Sequence, residues 1–183
     1  MNPEIPETGL TLILGGARSG KSTFVEQFAR QSGKSVLFVA TATAGDEEMA
    51  RRIRNHKASR PVEWKTLEIP LNIGRNLMSP AADLVIVDCI TLLVSNLLLS
   101  LPEGSSEEVI MQKIREEIEE LIAAQIRLGG QWLIVANEVG LGIVPPNPLG
   151  RIYRDALGFA NQVLAGHACR VILMVAGIPL VIK

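Results

Sequence analysis

Short apolar runs alternate along the chain with longer segments in which apolar residues recur every three or four positions. Several of these runs are apolar on both faces, as the central strands of a parallel sheet are. We predict strands at residues 10–14, 35–41, 64–69, 82–88, 131–137, 170–176 and 180–182. The last one follows the short turn Gly177-Ile178-Pro179, which is too short for a crossover, so it should return antiparallel at the sheet edge.

Helical patterns fill the intervals between these strands. They cover residues 22–30, 46–58 (with Asp46 as its cap), a segment from about 92, a long segment ending at 128, and residues 151–166. Ser105 and Glu108 read as a capping box before the long segment. The alternation predicts an α/β fold, a three-layer sandwich with a mostly parallel sheet and an antiparallel C-terminal edge strand. We expect one domain over residues 1–183, in which residues 1–9 form a loose arm.

Composition narrows the class of protein without identifying its function. The 183 residues are 48% hydrophobic and carry a net charge of -1, which suits a globular protein and gives no electrostatic case for nucleic acid. Cys89 and Cys169 lack metal-ligand spacing, so we expect buried, reduced thiols and a cytoplasmic location. The polar N-terminus is not expected to be a signal peptide. Residues 84–101 are nearly apolar enough for a membrane span, but Asp88 within them favours a buried strand followed by a helix.

A phosphate-binding pattern, G-x-x-x-x-G-K-[ST], follows the first strand. Its residues are Gly15, Gly16, Ala17, Arg18, Ser19, Gly20, Lys21 and Ser22. Glycines let successive backbone N–H groups turn toward an anion, and the following helix adds the positive end of its dipole. We expect Lys21 to reach the β- and γ-phosphates of a nucleoside triphosphate and the Ser22 hydroxyl to bind Mg²⁺. The fold class is therefore predicted as a P-loop NTPase (RecA-like) sandwich.

Polar residues end two other predicted strands at the same edge of the sheet. Asp88 occupies the place where phosphate-loop proteins carry a second acidic group that helps to hold Mg²⁺. Asn137 and Glu138 suit contacts with a substrate or with metal-bound water. They are equally explained as solvated ends of a strand, and position alone leaves both interpretations open.

The segment from Asp46 to Arg60 is basic although the whole chain is nearly neutral. Met49, Ile53 and His56 share one face of the predicted helix. One interpretation is a surface helix whose basic end complements its own dipole. The other is an anion site with a nucleophilic imidazole, because a neutral histidine can form a covalent bond to phosphorus while cations stabilise the phosphate. His167 lies at a helix end without such neighbours, which favours a cap or a surface position.

Motifs along nearly the whole chain resemble those of the bifunctional adenosylcobinamide kinase / adenosylcobinamide-phosphate guanylyltransferase family of cobalamin biosynthesis. Beyond the phosphate loop, the more specific motifs are the pattern H-x-x-x-R-P…W-x-T-x-E and the segment NEVGLGIVP. The motifs lie at residues 14–22, 39–43, 46–53, 56–68, 87–91, 95–98, 137–145 and 175–183. Asn55 stands before His56 where some relatives carry a second histidine, and the role of nucleophile is assigned to the histidine that a basic residue follows.

The resemblance implies two reactions. The first phosphorylates the aminopropanol hydroxyl of adenosylcobinamide with ATP or GTP, and the second transfers GMP from GTP to adenosylcobinamide phosphate through a guanylylated histidine. It implies that His56, Lys21 and Asp88 are catalytic and that the enzyme is a homotrimer. Ser22 and Asp88 are the expected Mg²⁺ ligands, with orientation of the attacking hydroxyl by Asp88 as the open alternative. From charge and from the polar residues of the apolar stretch, we expect no nucleic-acid or membrane partners. Beyond the phosphate loop, the nucleotide contacts fall on Thr41, Ala42, Lys57, Ala58, Ser59, Arg60, Glu68 and Asp88.

Two rival functions stay open at the level of sequence. A small-metabolite kinase would use the same phosphate loop with a merely structural His56, and it would form no GMP-protein. A binding module gated by its triphosphate would show no corrinoid-dependent turnover.

Overall fold

The strands form one mixed sheet in a computed structural model that describes residues 3–45, 47–58, 60–78 and 82–183, without the side chains of residues 48, 49, 52, 55 and 56. Within these ranges the sheet has seven strands in the order β3-β2-β4-β5-β1-β6-β7. They are β1 (Gly9–Gly15), β2 (Val36–Ala40), β3 (Lys65–Glu68), β4 (Leu84–Asp88), β5 (Gln131–Val135), β6 (Arg170–Val175) and β7 (Ile178–Val181). β1 to β6 pair in parallel, and β7 pairs antiparallel with β6. The predicted strand pattern is thereby confirmed.

Helices cover both faces of this sheet. They are α1 (Lys21–Ser32), α2 (Glu47–Ala58), α3 (Ile73–Asn76), α4 (Ile90–Ser100), α5 (Glu107–Leu128) and α6 (Pro148–His167). Alternate strand side chains point to opposite faces, so Leu12 and Ile13 of β1 are both fully buried but belong to different cores. One core packs the sheet against α3 to α6, and the other packs it against α1. These two cores confirm the three-layer α/β sandwich.

The antiparallel edge arises from a two-residue turn. Ala176 and Gly177 connect β6 to β7, and Val175 pairs with Ile178 across the turn. Both turn residues have positive φ, 51° and 81°, as a type I′ hairpin requires. The sheet therefore ends in an antiparallel hairpin, as predicted, but its turn lies at residues 176–177 rather than 177–179, and β7 begins at Ile178 rather than at residue 180.

Two details of the helices differ from the sequence prediction. The N-cap of α5 is Ser106, whose Oγ accepts from the Val109 N–H at 3.3 Å, whereas the Ser105 hydroxyl donates to the Pro102 carbonyl at 2.7 Å. The predicted cap at Ser105 is wrong by one residue because Ser106 has the extended backbone of an N-cap. α6 begins at Pro148, three residues earlier than predicted, since the Asn147 side chain accepts from the Gly150 N–H at 2.6 Å. Asp46, the predicted cap of α2, lies outside the described residues.

The segment before β1 is held to the domain rather than loose. Ile5 is 6% exposed within the α1-side core, and the Pro6 carbonyl accepts from Gln131 Nε2 at 2.6 Å. Burying one such side chain stabilises by roughly 1.5–3 kcal/mol, so the described part of the arm is anchored. Cys169 was predicted to be buried but is exposed, because it lies in the short link between α6 and β6.

The apolar stretch 84–101 divides into β4 and α4. Among the described helices, none has the length and apolarity that crossing a membrane requires.

Candidate functional site

A cavity of about 450 Å³ lies where the strands end at their carboxyl edge. Residues 17–23 form one side of it, and Asp88 and Val135 line it at the ends of β4 and β5. Lys57, Arg60 and Glu68 line the other side. The structure thus brings the phosphate loop, the predicted acidic residue and part of the basic segment to a single cavity.

The phosphate loop connects β1 to α1 and is held from inside by its own lysine. The Lys21 Nζ donates to the Gly15 carbonyl at 2.9 Å and to the Gly16 carbonyl at 2.7 Å. Lys21 is only 7% exposed, and burial lowers the pKa of its ammonium group. The α1 N-terminus begins directly after the loop, so its free N–H groups and dipole are directed at a bound anion.

The β6–β7 hairpin turn supports the loop from behind. The Gly177 N–H donates to the Ser19 carbonyl at 2.9 Å. Gly20 has a φ of 98°, and a Cβ at this position would come within 3.1 Å of the Gly177 Cα, which is tighter than most Cβ contacts in proteins. This contact was not predicted from the sequence, because nothing in either motif indicates that the two glycines meet.

The candidate Mg²⁺ ligands are in contact with each other. The Ser22 Oγ donates to Asp88 Oδ2 at 3.0 Å. Among the described residues no group of three or more His, Cys, Asp or Glu side chains could hold a metal ion. A hydroxyl and one carboxylate are nonetheless a suitable protein contribution for Mg²⁺, which prefers oxygen ligands and takes the remainder from phosphates and water.

Cys89 follows Asp88 and lines the cavity. Burial, and secondarily the neighbouring Asp88 carboxylate, raise the pKa of its thiol to about 11, so the thiol is protonated and a poor nucleophile at neutral pH. Its backbone is held by Thr41, whose Oγ1 accepts from the Cys89 N–H at 2.8 Å and donates to its carbonyl at 2.7 Å. Cys89 is therefore part of the cavity wall.

Cationic side chains on the α2–β3 side of the cavity differ in their surroundings. The Lys57 Nζ lies 2.9 Å from Glu68 Oε1, and these side chains are 62% and 60% exposed. The Arg60 guanidinium carbon lies 3.6 Å from the centre of the Phe38 ring. Its Nε is buried without a hydrogen-bond partner among the described residues, and burial lowers the pKa of the guanidinium. Arg60 thus presents a fixed, still cationic group at the edge of the cavity.

The remaining predicted contacts fall into three groups. Ala42 lines the cavity, as do the loop residues Ala17, Arg18, Ser19 and Gly20. Thr41 is fully buried behind the wall, and it is absent from the cavity lining, as are Gly15, Gly16 and Ala58. His56 belongs to α2, but its side chain lies outside the described residues, as does all of Ser59.

The same chain also matches a characterised family over almost its whole length. The model of the family described as cobinamide kinase / cobinamide phosphate guanyltransferase covers residues 11–182. The chain belongs to this cobinamide kinase family. The match includes every residue of the cavity described above.

Individual members of the cobinamide kinase family are similar from end to end. The bifunctional adenosylcobalamin biosynthesis protein CobP of Pseudomonas aeruginosa is 44% identical over 174 residues, 94% of this chain and 96% of that protein. The corresponding CobU of Salmonella typhimurium is 41% identical over 181 residues, 95% of this chain and 99% of that protein. These relatives confirm the resemblance that the motifs indicated.

Among solved structures, the crystal structure of flagellar accessory protein FlaH from Methanocaldococcus jannaschii is similar to this family member. The TM-score is 0.52 with 16% sequence identity, and the match covers 98% of this chain and 80% of that one. This likeness concerns the fold alone, and it agrees with the three-layer α/β sandwich described above.

Two buried polar side chains on α4 and α6, which the sequence analysis did not single out, hold the segment after β5 in this cobinamide kinase family member. The Thr91 Oγ1 accepts from the Asn137 N–H at 2.7 Å, and Asn161 Nδ2 donates to the Asn137 carbonyl at 3.0 Å. Thr91 is 7% exposed and Asn161 6%. Asn137 itself lines the cavity, whereas Glu138 does not and instead accepts from the Gly140 N–H.

Proposed function

We propose that this protein phosphorylates adenosylcobinamide with ATP or GTP and then transfers GMP from GTP to adenosylcobinamide phosphate. The observation that carries this proposal is the single cavity in which the phosphate loop faces Asp88 and the cations Lys57 and Arg60. The names of the related proteins supply the substrate class. A kinase alone needs only the phosphate loop and a carboxylate such as Asp88. The additional cations suit a second reaction at the α-phosphorus of the nucleotide.

In the kinase step, the aminopropanol oxygen of adenosylcobinamide bonds to the γ-phosphorus of the nucleotide. The bond from that phosphorus to the β–γ bridging oxygen breaks, its electron pair leaves with the nucleoside diphosphate, and the hydroxyl proton passes to solvent. Lys21 and the loop N–H groups stabilise the charge on the phosphates. Mg²⁺ held by Ser22 and Asp88 would supply further neutralisation of that charge.

In the guanylyl step, an imidazole nitrogen of His56 bonds to the α-phosphorus of GTP, and pyrophosphate leaves. A phosphate oxygen of adenosylcobinamide phosphate then bonds to the same phosphorus, and the phosphorus–nitrogen bond breaks to release neutral imidazole and adenosylcobinamide-GDP. Support for His56 comes from Ile53 and Lys57 of the same helix, which both line the cavity. Lys57 and Arg60 are the cations available to stabilise the α-phosphate.

The covalent intermediate provides the test. With GTP labelled at the α-phosphate and no corrinoid present, the protein should acquire label that is lost in acid and retained in alkali, as for a phosphoramidate. GTP labelled at the γ-phosphate should leave no label on the protein. Equal labelling by both nucleotides, or label that survives acid, would contradict the guanylyl-histidine step.

We also propose that the protein is a homotrimer. The open edge of the sheet exposes apolar side chains of β7, with Ile178 69% and Leu180 54% exposed, and an uncovered edge strand of this kind favours association. Light scattering should give about three times the monomer mass of 19.8 kDa, and a stable monomer would contradict the proposal.

A further inference from the structure

We propose that Asn137 binds the terminal phosphate of the nucleotide through its side-chain amide, and so distinguishes a triphosphate from a diphosphate. This inference rests on the proposed function and adds to it a residue of the phosphate-binding site. Asn137 lines the cavity and lies in the segment that follows β5.

The main chain of Asn137 is already fully occupied. Its N–H donates to the buried Thr91 hydroxyl, and its carbonyl accepts from the buried Asn161 amide. Its side-chain amide makes no hydrogen bond to the residues that the structure describes. The amide is therefore the one polar group that Asn137 has left for a ligand, and its backbone is fixed on both sides.

The neighbours of Asn137 place it beside the start of the phosphate loop. The Ala136 N–H donates to the Ile13 carbonyl at 3.0 Å, and the Glu138 N–H donates to the Gly15 carbonyl at 3.0 Å. That Gly15 carbonyl is also the acceptor for Lys21. Because a phosphate-loop lysine reaches the β- and γ-phosphates, this is the terminal-phosphate end of the cavity.

The order of the strands separates Asn137 from the α2–β3 side. β5 and β3 are three strand spacings apart in the sheet, which is about 14 Å at roughly 4.8 Å per strand. Lys57 and Glu68 belong to the far side. An amide after β5 is thus positioned for the γ-phosphate, while the cations of the far side remain available to the α-phosphate.

The chemistry of the amide fits this role. An amide N–H donates to a phosphate oxygen without changing its own charge state, so it binds the terminal phosphate and takes no proton in the reaction. A diphosphate lacks that phosphate, so the contact contributes only to the binding of a triphosphate.

The test compares the affinities of two nucleotides for Asn137→Ala. Dissociation constants for ADP and for the β,γ-methylene analogue of ATP, both with Mg²⁺, are measured by calorimetry on the full chain. The variant should lose about tenfold or more in affinity for the triphosphate analogue, the size of one hydrogen bond to a charged group, and less than about twofold for ADP. Asn76→Ala, at an exposed asparagine of α3 outside the cavity, should bind both nucleotides as the wild type does.

Asn137→Asp keeps the size of the side chain and adds a negative charge. It should weaken triphosphate binding further than alanine does, since the carboxylate repels the γ-phosphate, and this expectation holds even where the alanine variant folds poorly. Equal losses for both nucleotides, or no loss for either, would overturn the assignment. If the wild type makes no cobinamide product, the proposed function fails, while the ratio of the two affinities still decides the role of Asn137.

Discussion

The two sides of the cavity are built in different ways. On the phosphate-loop side, Lys21 is 7% exposed and fixed to loop carbonyls, and Ser22 is in contact with Asp88. On the α2–β3 side, Lys57 and Glu68 form an ion pair whose side chains are more than half exposed. The phosphate-loop side is therefore organised before any ligand binds. An exposed ion pair such as Lys57–Glu68 contributes little to the free energy of folding, so Lys57 can leave Glu68 for a bound phosphate at low cost.

This difference suggests that the two sides of the cavity contribute to different steps of the proposed function. A pre-organised phosphate site serves both steps, because each begins with the same triphosphate bound in the loop. The exposed ion pair can open to contact the α-phosphate, which only guanylyl transfer uses as the site of attack. Substitutions on the loop side should therefore affect both reactions, and substitutions on the α2–β3 side should affect mainly the second.

The largest separation of the two reactions is expected for His56→Ala. The variant should lose covalent labelling by α-labelled GTP completely, since the imidazole of His56 is the proposed nucleophile, while it retains kinase activity. His167→Ala is the matched control, because His167 lies at the end of α6 with its Nε2 2.9 Å from Gln125 Oε1. Undiminished labelling of His56→Ala would show that the nucleophile is another residue.

Lys21→Ala should reduce both reactions together. Loss of a buried donor that stabilises developing charge costs about 10²–10³-fold in rate, and kinase turnover and guanylylation should each fall by that order. The control is Lys34→Ala, at the opposite edge of the sheet, where Lys34 pairs with Glu7. Loss of only one activity would contradict a shared triphosphate site.

Asp88→Asn should also affect both reactions, by a smaller factor that depends on the metal. We expect a loss of about tenfold or more at low Mg²⁺, partly recovered at high Mg²⁺, because a neutral amide is a weaker ligand than a carboxylate. The control is Asp83→Asn. Asp83 directly precedes β4, at the opposite end of that strand from Asp88, and its carboxylate accepts from the Ser35 hydroxyl. A loss independent of Mg²⁺ concentration would argue that Asp88 orients the acceptor hydroxyl instead.

The smallest effect is expected for Lys57→Ala. Guanylylation should fall by roughly threefold to tenfold, the range for one partly exposed charge-assisted contact, with kinase turnover and thermal stability nearly unchanged. Lys65→Ala, at the exposed start of β3, should leave both rates as they are. If Lys57→Ala slows the kinase step as strongly as guanylyl transfer, the α2–β3 side of the cavity does not serve guanylyl transfer selectively.

Much of this arrangement follows from local sequence. The strands, the loop and Asp88 were predictable because apolar runs and a fixed motif specify them over a few residues. The antiparallel return of β7 followed from the length of its connection, although the turn itself lies at Ala176 and Gly177 rather than at residues 177–179. Other features depend on contacts between distant segments. The close approach of Gly20 to Gly177 joins residues far apart in the chain. The same is true of the two side chains that hold Asn137, so no pattern in the sequence indicated either contact.

The capping of α5 and the exposure of Cys169 illustrate a second limit. Ser105 has the glutamate that a capping box requires three residues on, yet its neighbour Ser106 has the extended backbone and the side-chain hydrogen bond of the N-cap. An apolar neighbourhood in sequence does not reveal that Cys169 lies in an exposed link.

The most direct test of the account supplies the wild-type protein with adenosylcobinamide and Mg²⁺, with GTP as the sole nucleotide, and identifies the products by mass over time. Adenosylcobinamide phosphate and GDP should form first, followed by adenosylcobinamide-GDP and pyrophosphate in equal amounts. Adenosylcobinamide phosphate that accumulates without pyrophosphate would contradict it, since a kinase alone would then explain the cavity.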